Sequence, residues 1–267
     1  MIVIMKKFAI VGNPAAHSLS PKLFYAGYHL APQNDNSLNM SYSVLEGSNI
    51  EECIASLKEQ GYSGANVTAP FKEAVMKFVT DADAVCKTIG AANLIKFEGD
   101  RVFGFNTDYT AVKRIADEFI GSKNGRLQNL KAFVIGCGGA GKAAALACKD
   151  AALQTYITNR TMSKAIEYAG KIGVQALDFE RCNLMLKVLK EGGVAAGGNL
   201  LIIYTLPLQI EQFAPDSFAG ATIVEANYKN PCINSSSGKQ WLVYQAIEGF
   251  RLFTGLTPDE KAMHSAL

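Results

Sequence analysis

Two short stretches, Asn66-Val67-Thr68-Ala69-Pro70-Phe71-Lys72 and Gly104-Phe105-Asn106-Thr107-Asp108, each end an apolar, strand-like run with one ionisable side chain. Short amides and hydroxyls (Asn66 and Thr68; Asn106 and Thr107) sit just before the charge in both. A lysine and an aspartate presented on loops at strand ends make a proton-transfer pair among groups suited to hydrogen-bonding a polyol. Each stretch taken singly also fits a structural role. Lysine after a turn proline commonly opens a solvated helix, and Asp108 could cap a helix beginning at Tyr109. A third element, beginning at Gly136, shifts the balance.

There Phe133-Val134-Ile135 runs into Gly136-Cys137-Gly138-Gly139-Ala140-Gly141 and then into the helix-forming Lys142-Ala143-Ala144-Ala145-Leu146-Ala147. This is G-x-G-x-x-G between a strand and a helix, the context in which the pattern binds a dinucleotide. Gly136 permits a tight turn, Gly138 lets the backbone approach a pyrophosphate, and Gly141 allows close helix–strand packing. Gly139 and Ala140 open the helix, whose free N–H groups face the phosphates. The next strand leads to Asn159-Arg160-Thr161, where a site selective for NAD would carry an acid. An acid would repel a 2′-phosphate, whereas a guanidinium binds one through paired hydrogen bonds. NADP is the expected cofactor.

The elements that must position these groups alternate along the whole chain. Strands are expected at 8–11, 40–45, 65–67, 92–97 and 102–105, with helices over 21–30, 49–60, 71–79 and 109–120. A second series follows the loop-like Gly121-Ser122-Lys123-Asn124-Gly125, with strands at 132–135, 155–158, 200–204 and 222–224. Strands alternating with helices argue for an α/β class with parallel sheets. Two series argue for two domains: residues 1–108 with 239–267, and a Rossmann-type dinucleotide-binding domain over 109–238. The helical tail, 238–254 and 258–267, is expected to pack back on the first domain, with 234–238 as a second hinge.

Lysine and arginine (26) nearly balance aspartate and glutamate (24), with no basic stripe or acidic tail, so nucleic-acid and membrane-surface partners find no support. The six cysteines are scattered without a C-x-x-C pair and read as reduced thiols, with no metal site expected. The apolar start is too short for a signal peptide, and a cytoplasmic location is expected. Translation from Met5 instead of Met1 would make the residues before it an extension outside the fold.

With these elements assembled, the chain from about Phe8 onward resembles the shikimate dehydrogenase family. Gly12-Asn13-Pro14-Ala15-Ala16-His17-Ser18-Leu19-Ser20-Pro21 is similar to the family's N-terminal motif. By that resemblance Ser18 and Ser20 bind the substrate carboxylate, although the same serines could form a turn and cap before Pro21. Asn93, in Ile89-Gly90-Ala91-Ala92-Asn93, would contact ring hydroxyls. Asn66, Thr68, Tyr228 and Gln245 match further substrate positions, and Lys72 and Asp108 the catalytic ones. The resemblance makes the first domain the substrate domain. It implies NADPH-dependent reduction of 3-dehydroshikimate to shikimate, within chorismate and aromatic amino-acid biosynthesis. An ordinary lysine is protonated at neutral pH, so Lys72 is a ready acid for the reduction. In the oxidative direction it must take the proton back, so oxidation is expected to favour alkaline pH. Tyr28 and Tyr42 read as core.

Four departures from the family pattern stand out. Tyr109 follows Asp108 in place of Gly. Tyr204-Thr205-Leu206-Pro207-Leu208-Gln209 replaces N-x-T-P-x-G. Trp241 stands where a Met usually approaches the nicotinamide, and the segment after Tyr228 lacks T-P-L-L. All four are expected to crowd the cofactor side. The 204–209 loop and Trp241 motivate the alternative of a binding or regulatory protein without turnover. A quinate or amino-shikimate dehydrogenase stays open because few side chains touch the ring carbon that distinguishes these substrates. Monomer and homodimer are both open.

Overall fold

The run Phe8-Ala9-Ile10-Val11 is apolar on both sides of the pleat, as a strand covered on both faces requires. In the computed structural model it forms the centre of β1 (Lys6–Gly12), and all four side chains are buried. The structure describes residues 6–28, 40–123, 129–192, 198–210, 213, 218–233 and 238–267. The chain divides into two units, Met1–Thr107 with Val243–Leu267, and Asp108–Leu242.

In the first unit β1 is followed by α1 (Ser20–Gly27), β2 (Met40–Glu46), α2 (Ile50–Glu59) and β3 (Gly64–Val67). Then come β4 (Asp81–Ala82), α3 (Ala84–Ile89), β5 (Leu94–Glu98) and β6 (Arg101–Phe105). The strand order is β2-β1-β3-β5-β6-β4. The expected parallel pairing holds for β2, β1 and β3, but β5 is antiparallel to both β3 and β6, so this sheet is mixed. The tight turn after Glu98 causes the reversal: Gly99 takes a φ of 59° and folds β5 and β6 into a hairpin.

Between β3 and β4 the expected helix over 71–79 shrinks to a single 3-10 turn, Ala74–Lys77. Phe71 and Val75 are buried as a helix would bury them, but the chain must rejoin the sheet. Thr80 does this through its backbone N–H, which donates to Val102 O at 2.9 Å, and that pulls the next two residues into β4. The short α3 is a further element that periodicity does not announce. Its signals are Asp83, whose side chain accepts from Cys86 N, and Gly90, whose φ of 70° ends the helix.

The second unit takes in all but the first residue of α4 (Thr107–Gly121) and continues with β7 (Lys131–Ile135), α5 (Gly139–Asp150), β8 (Gln154–Thr158) and α6 (Met162–Ile172). β9 (Gln175–Ala176), α7 (Phe179–Glu191), β10 (Leu200–Tyr204) and β11 (Thr222–Glu225) complete it. Its sheet is parallel in every pair, in the order β11-β10-β7-β8-β9. β7 and β10 are almost wholly apolar, as strands under helices on both faces must be.

α8 (Lys239–Thr254) carries the chain back, and α9 (Glu260–Ser265) ends it. Alternation along β1 explains why this tail packs on the first unit. Phe8 and Ile10 face one side and pack with Phe24, Tyr42 and Leu94, and with Phe250 and Phe253 from α8. Ala9 and Val11 face the other side, with Ile54, Leu57, Val67 and Val75. Phe8 stacks on Phe253 at 4.5 Å between ring centroids. Each such burial removes enough apolar surface to contribute about 1.5–3 kcal/mol. Among the described residues, no helix is long and apolar enough to cross a membrane. The linker and hinge expected around 121–125 and 234–238 fall largely outside the described residues.

Candidate active site

In the first unit, the C-terminal ends of β1 and β3 and the N-terminal end of α1 bring small polar groups together. Gly12 closes β1 directly against Thr68: a Cβ there would lie 2.2 Å from the threonine methyl. Ser18 and Ser20 bracket the start of α1, where Pro21 suits the first turn. Ser18 Oγ accepts from Ser20 N at 3.1 Å and donates to Ser20 Oγ at 3.1 Å. The preceding loop is held by a residue the sequence did not single out. Glu46, at the end of β2, accepts from the backbone N–H groups of Ala16 and Ala15, and these bonds hold its carboxyl below the usual range.

Tyr42 connects the serines to the amides. Its hydroxyl donates to Asn66 Oδ1 at 2.6 Å, and it also hydrogen-bonds Ser20. Burial pushes this phenol far above its usual range, outweighing the bond from Ser20, so it remains a donor. The core role expected for Tyr42 is therefore half of its part: the ring packs in the core and the hydroxyl orients Asn66. With Asn66 Oδ1 taken by Tyr42, Nδ2 donates to Asn93 O at 3.3 Å. That leaves an amide N–H as the group Asn66 can offer a ligand.

Asn93 is 3% exposed and stands at the centre of the cluster. Its Oδ1 accepts from Thr107 N at 2.6 Å, and its Nδ2 donates to Thr107 Oγ1 at 2.9 Å and to Gln245 Oε1 at 3.5 Å. Gln245, on α8, also accepts from Thr107 Oγ1 at 3.4 Å. Thr107 is thus part of the cluster, although the sequence offered it only as a hydroxyl beside Asp108. Lys72 is half-buried, and its backbone O accepts from Ala92 N at 2.8 Å, tying its segment to the one that carries Asn93. Asn106 donates to Ala91 O at 2.8 Å and braces the same segment. Ser18, Ser20, Asn66, Thr68, Lys72, Asn93 and Gln245 all belong to the first unit, whereas Asp108 and Tyr228 belong to the second.

In the second unit the glycine turn has the geometry a pyrophosphate needs. Gly136 sits at a φ of 114°, where an L side chain is strained. A Cβ on Gly141 would lie 2.1 Å from Gly136 O, so helix and turn meet backbone to backbone. A Cβ on Gly138 would meet nothing within 4 Å, which leaves open space over the turn. Gly138 caps α5 without a side-chain hydrogen bond, so the first N–H groups, from Gly139 and Ala140 onward, are presented for an anion.

Asn159 Oδ1 accepts from Cys137 N at 3.3 Å, and its Nδ2 donates to Thr161 O at 3.1 Å, which joins the turn to the Asn159-Arg160-Thr161 corner. A cavity of about 680 Å³ opens beside them. Arg160, Thr161 and Lys164 line it together with Phe179, Leu206 and Pro207. Lys164 is a second cation there that the motif alone does not reveal. The loop that lost its Asn is closed another way: Tyr204, buried, donates its hydroxyl to Leu208 O at 2.6 Å. These residues fit a dinucleotide carrying a 2′-phosphate.

Asp108 is the second residue of α4 and is 5% exposed. Trp241 Nε1 donates to its Oδ1 at 3.0 Å. Trp241, which stands where the family usually carries a Met, thus has its indole N–H engaged by Asp108. Tyr109, the other departure beside Asp108, turns its hydroxyl to Asp150 at 3.0 Å. Tyr228 lies half-buried in the loop after β11. Glu225 anchors that loop by accepting from Cys232 N and Ile233 N.

Two family models match the chain: the shikimate dehydrogenase substrate binding domain over residues 10–95, and the shikimate 5′-dehydrogenase C-terminal domain over 242–267. Among curated relatives, the NADP(+) shikimate dehydrogenase of Halobacterium salinarum is 31% identical, with 98% of each chain covered. That of Thermus thermophilus is also 31% identical, over 98% of this chain and 97% of the relative. Among solved structures, a Thermus thermophilus shikimate 5-dehydrogenase in complex with NADP(H) and shikimate superposes with a TM-score of 0.76. It is 27% identical, and the match covers 98% of both chains. A quinate dehydrogenase from Corynebacterium glutamicum, 19% identical with a TM-score of 0.77, shares the fold.

The two glycines make opposite predictions. Gly141→Ala drives a methyl into backbone and should destabilise the second unit by about 1–3 kcal/mol in urea melts. Gly138→Ala enters open space and should leave the melt unchanged while weakening NADPH binding in a fluorescence titration. Equal melts for both variants would contradict the close approach at Gly141.

Proposed function

The chain belongs to the shikimate dehydrogenase family, and we propose that its own residues carry out the NADPH-dependent reduction of 3-dehydroshikimate to shikimate as follows. The observation that carries the reading is the buried polar cluster from Ser18 to Gln245, because a set of interlocked amides and hydroxyls suits a polyhydroxylated acid. Ser18 and Ser20 hold the carboxylate at the start of α1. Asn66, Thr68, Asn93, Tyr228 and Gln245 bind the ring oxygens. NADPH, when bound, supplies the hydride to the carbonyl carbon.

The turn at Gly136–Gly141 and the cations Arg160 and Lys164 hold the cofactor by its phosphates. Lys72 gives a proton to the carbonyl oxygen as the alcohol forms, then regains one from water. Its ammonium also stabilises the developing alkoxide. Asp108 accepts a hydrogen bond from a neighbouring ring hydroxyl. The proposed reaction belongs to aromatic biosynthesis, with the cytoplasm as the proposed location and monomer and homodimer both open. A reading as a quinate or amino-shikimate dehydrogenase would need a different group at one ring carbon.

Steady-state NADPH oxidation with 3-dehydroshikimate, run beside a titration of shikimate binding, is the test. Turnover supports the enzyme; shikimate binding without turnover leaves a binding protein. Lys72→Ala should lower kcat by about 10²–10⁴ with modest change in KM, as expected for loss of a general acid. A variant keeping more than half of the wild-type kcat would remove Lys72 from this role.

Tyr42→Phe frees Asn66 to rotate and leaves its buried carbonyl without its donor. This should cost about 1–2 kcal/mol of substrate binding, read as a rise in KM of roughly 5–30-fold with kcat little changed. An unchanged KM would show that the phenol only packs.

NADPH should be preferred to NADH, and Arg160→Ala should raise the NADPH KM by about 10–150-fold, the value of a charge-assisted contact of roughly 1.5–3 kcal/mol. Equal use of NADH by the wild-type protein would contradict the assignment of this corner to a 2′-phosphate.

A further inference from the structure

Buried carboxylates are costly unless donors satisfy them, and one donor to Asp108 is an unusual group. Asp108 and Trp241 are both almost fully buried, and the indole N–H meets Oδ1 at 3.0 Å. An indole can only donate, has one N–H, and carries it on a rigid two-ring frame. A hydroxyl could turn and an amide could flip; this group can do neither. Trp241 therefore holds Oδ1 of Asp108 from one fixed direction.

The position of Trp241 is itself fixed from three sides. Gly238 starts the turn before α8 against the end of β11, where a Cβ would lie 2.1 Å from Glu225 O. Leu242 N then donates to Gly238 O at 2.9 Å and sets the first helical turn around Trp241. Gln240, the preceding residue, donates to Glu118 Oε2 at 2.8 Å, so the first turn of α8 holds α4 at a second point. All of these groups lie within the second unit.

We infer that Trp241 is a positioning residue for the reaction: its hold on Oδ1 sets the orientation in which the Asp108 carboxylate meets the substrate hydroxyl. The inference rests on the reading of Asp108 as the carboxylate that meets the substrate. It assigns the Met-to-Trp departure to the proton-transfer side of the reaction rather than to the nicotinamide. The role is carried through Asp108, so its signature is a split between constants. Loosening Asp108 slows turnover, whereas the NADPH KM has no reason to move.

Trp241→Phe removes the N–H and keeps an aromatic ring. It should lower kcat about tenfold or more, the effect of losing a hydrogen bond to a charged group, with the NADPH KM within about twofold of wild type. Wild-type kcat in Trp241→Phe, or a raised NADPH KM with kcat kept, would overturn the inference. Asp108→Asn, measured in parallel, separates the two readings. If it keeps full activity, the assignment of Asp108 fails; if it is impaired while Trp241→Phe is not, only the positioning role fails. Trp241 is the sole tryptophan of the chain, so its fluorescence supplies a measurement that does not depend on the folding of the Phe variant. Ligand-free Asp108→Asn should differ from wild type in emission intensity or maximum. Identical spectra would overturn the inference.

Discussion

Asn93 has four polar groups, lies 3% exposed, and has all four engaged. Its backbone N donates to Phe105 O, its backbone O accepts from Val67 N and from Asn66 Nδ2, and its side-chain amide meets Thr107 and Gln245. Through these bonds one residue ties β3, β5, β6, the start of α4 and the middle of α8 to a single point. Any of these buried groups left wholly unsatisfied would cost about 1–3 kcal/mol. The rest of the cluster inherits its geometry from this node. Asn66 is oriented between Asn93 and Tyr42, and Tyr42 in turn reaches Ser20. A polyol site built in this way is ordered before its ligand arrives, which limits the entropy lost on binding.

The second unit solves a different problem with different means. Its dinucleotide turn depends on missing side chains: Gly141 admits the carbonyl of Gly136, and Gly138 leaves room above the turn. The cations of Arg160 and Lys164 then stand on a cavity wall otherwise built from Phe179, Leu206 and Pro207. Where the loop sequence departs from the family, the structure supplies a substitute. Tyr204 replaces an Asn and closes the loop through its own hydroxyl on Leu208 O.

Local patterns in the sequence were enough for the parts of the fold that local physics determines. The apolar run of β1, the glycine turn between β7 and α5, and the amphipathic tail could each be read from their own residues. The short β4 and α3 could not, because a two-residue strand has no periodicity and the segment around 71–79 carries a helical pattern that the sheet overrides. The antiparallel setting of β5 follows from one turn whose consequence for the whole sheet is not local. The site divides along the same line. Residue types at strand ends pointed to Lys72, Asp108 and Asn66, and the family resemblance added Asn93, since motif chemistry is written in short stretches. The groups that orient them were hidden. Tyr42 lies 24 positions from Asn66 and reads on its own as core, and Trp241, 133 positions from Asp108, reads only as a departure on the cofactor side. Only the folded chain pairs them.

Hydride transfer from NADPH to a ketone held by the polar cluster is the step on which everything above converges. It can be followed with NADPH deuterated at the transferring position of C4, reacted with 3-dehydroshikimate and read by NMR of the product. The expected product is shikimate carrying one deuterium on the newly formed carbinol carbon, in amount equal to the NADPH oxidised. Shikimate or its ketone bound without NADPH oxidation, or product lacking the label, would contradict that transfer.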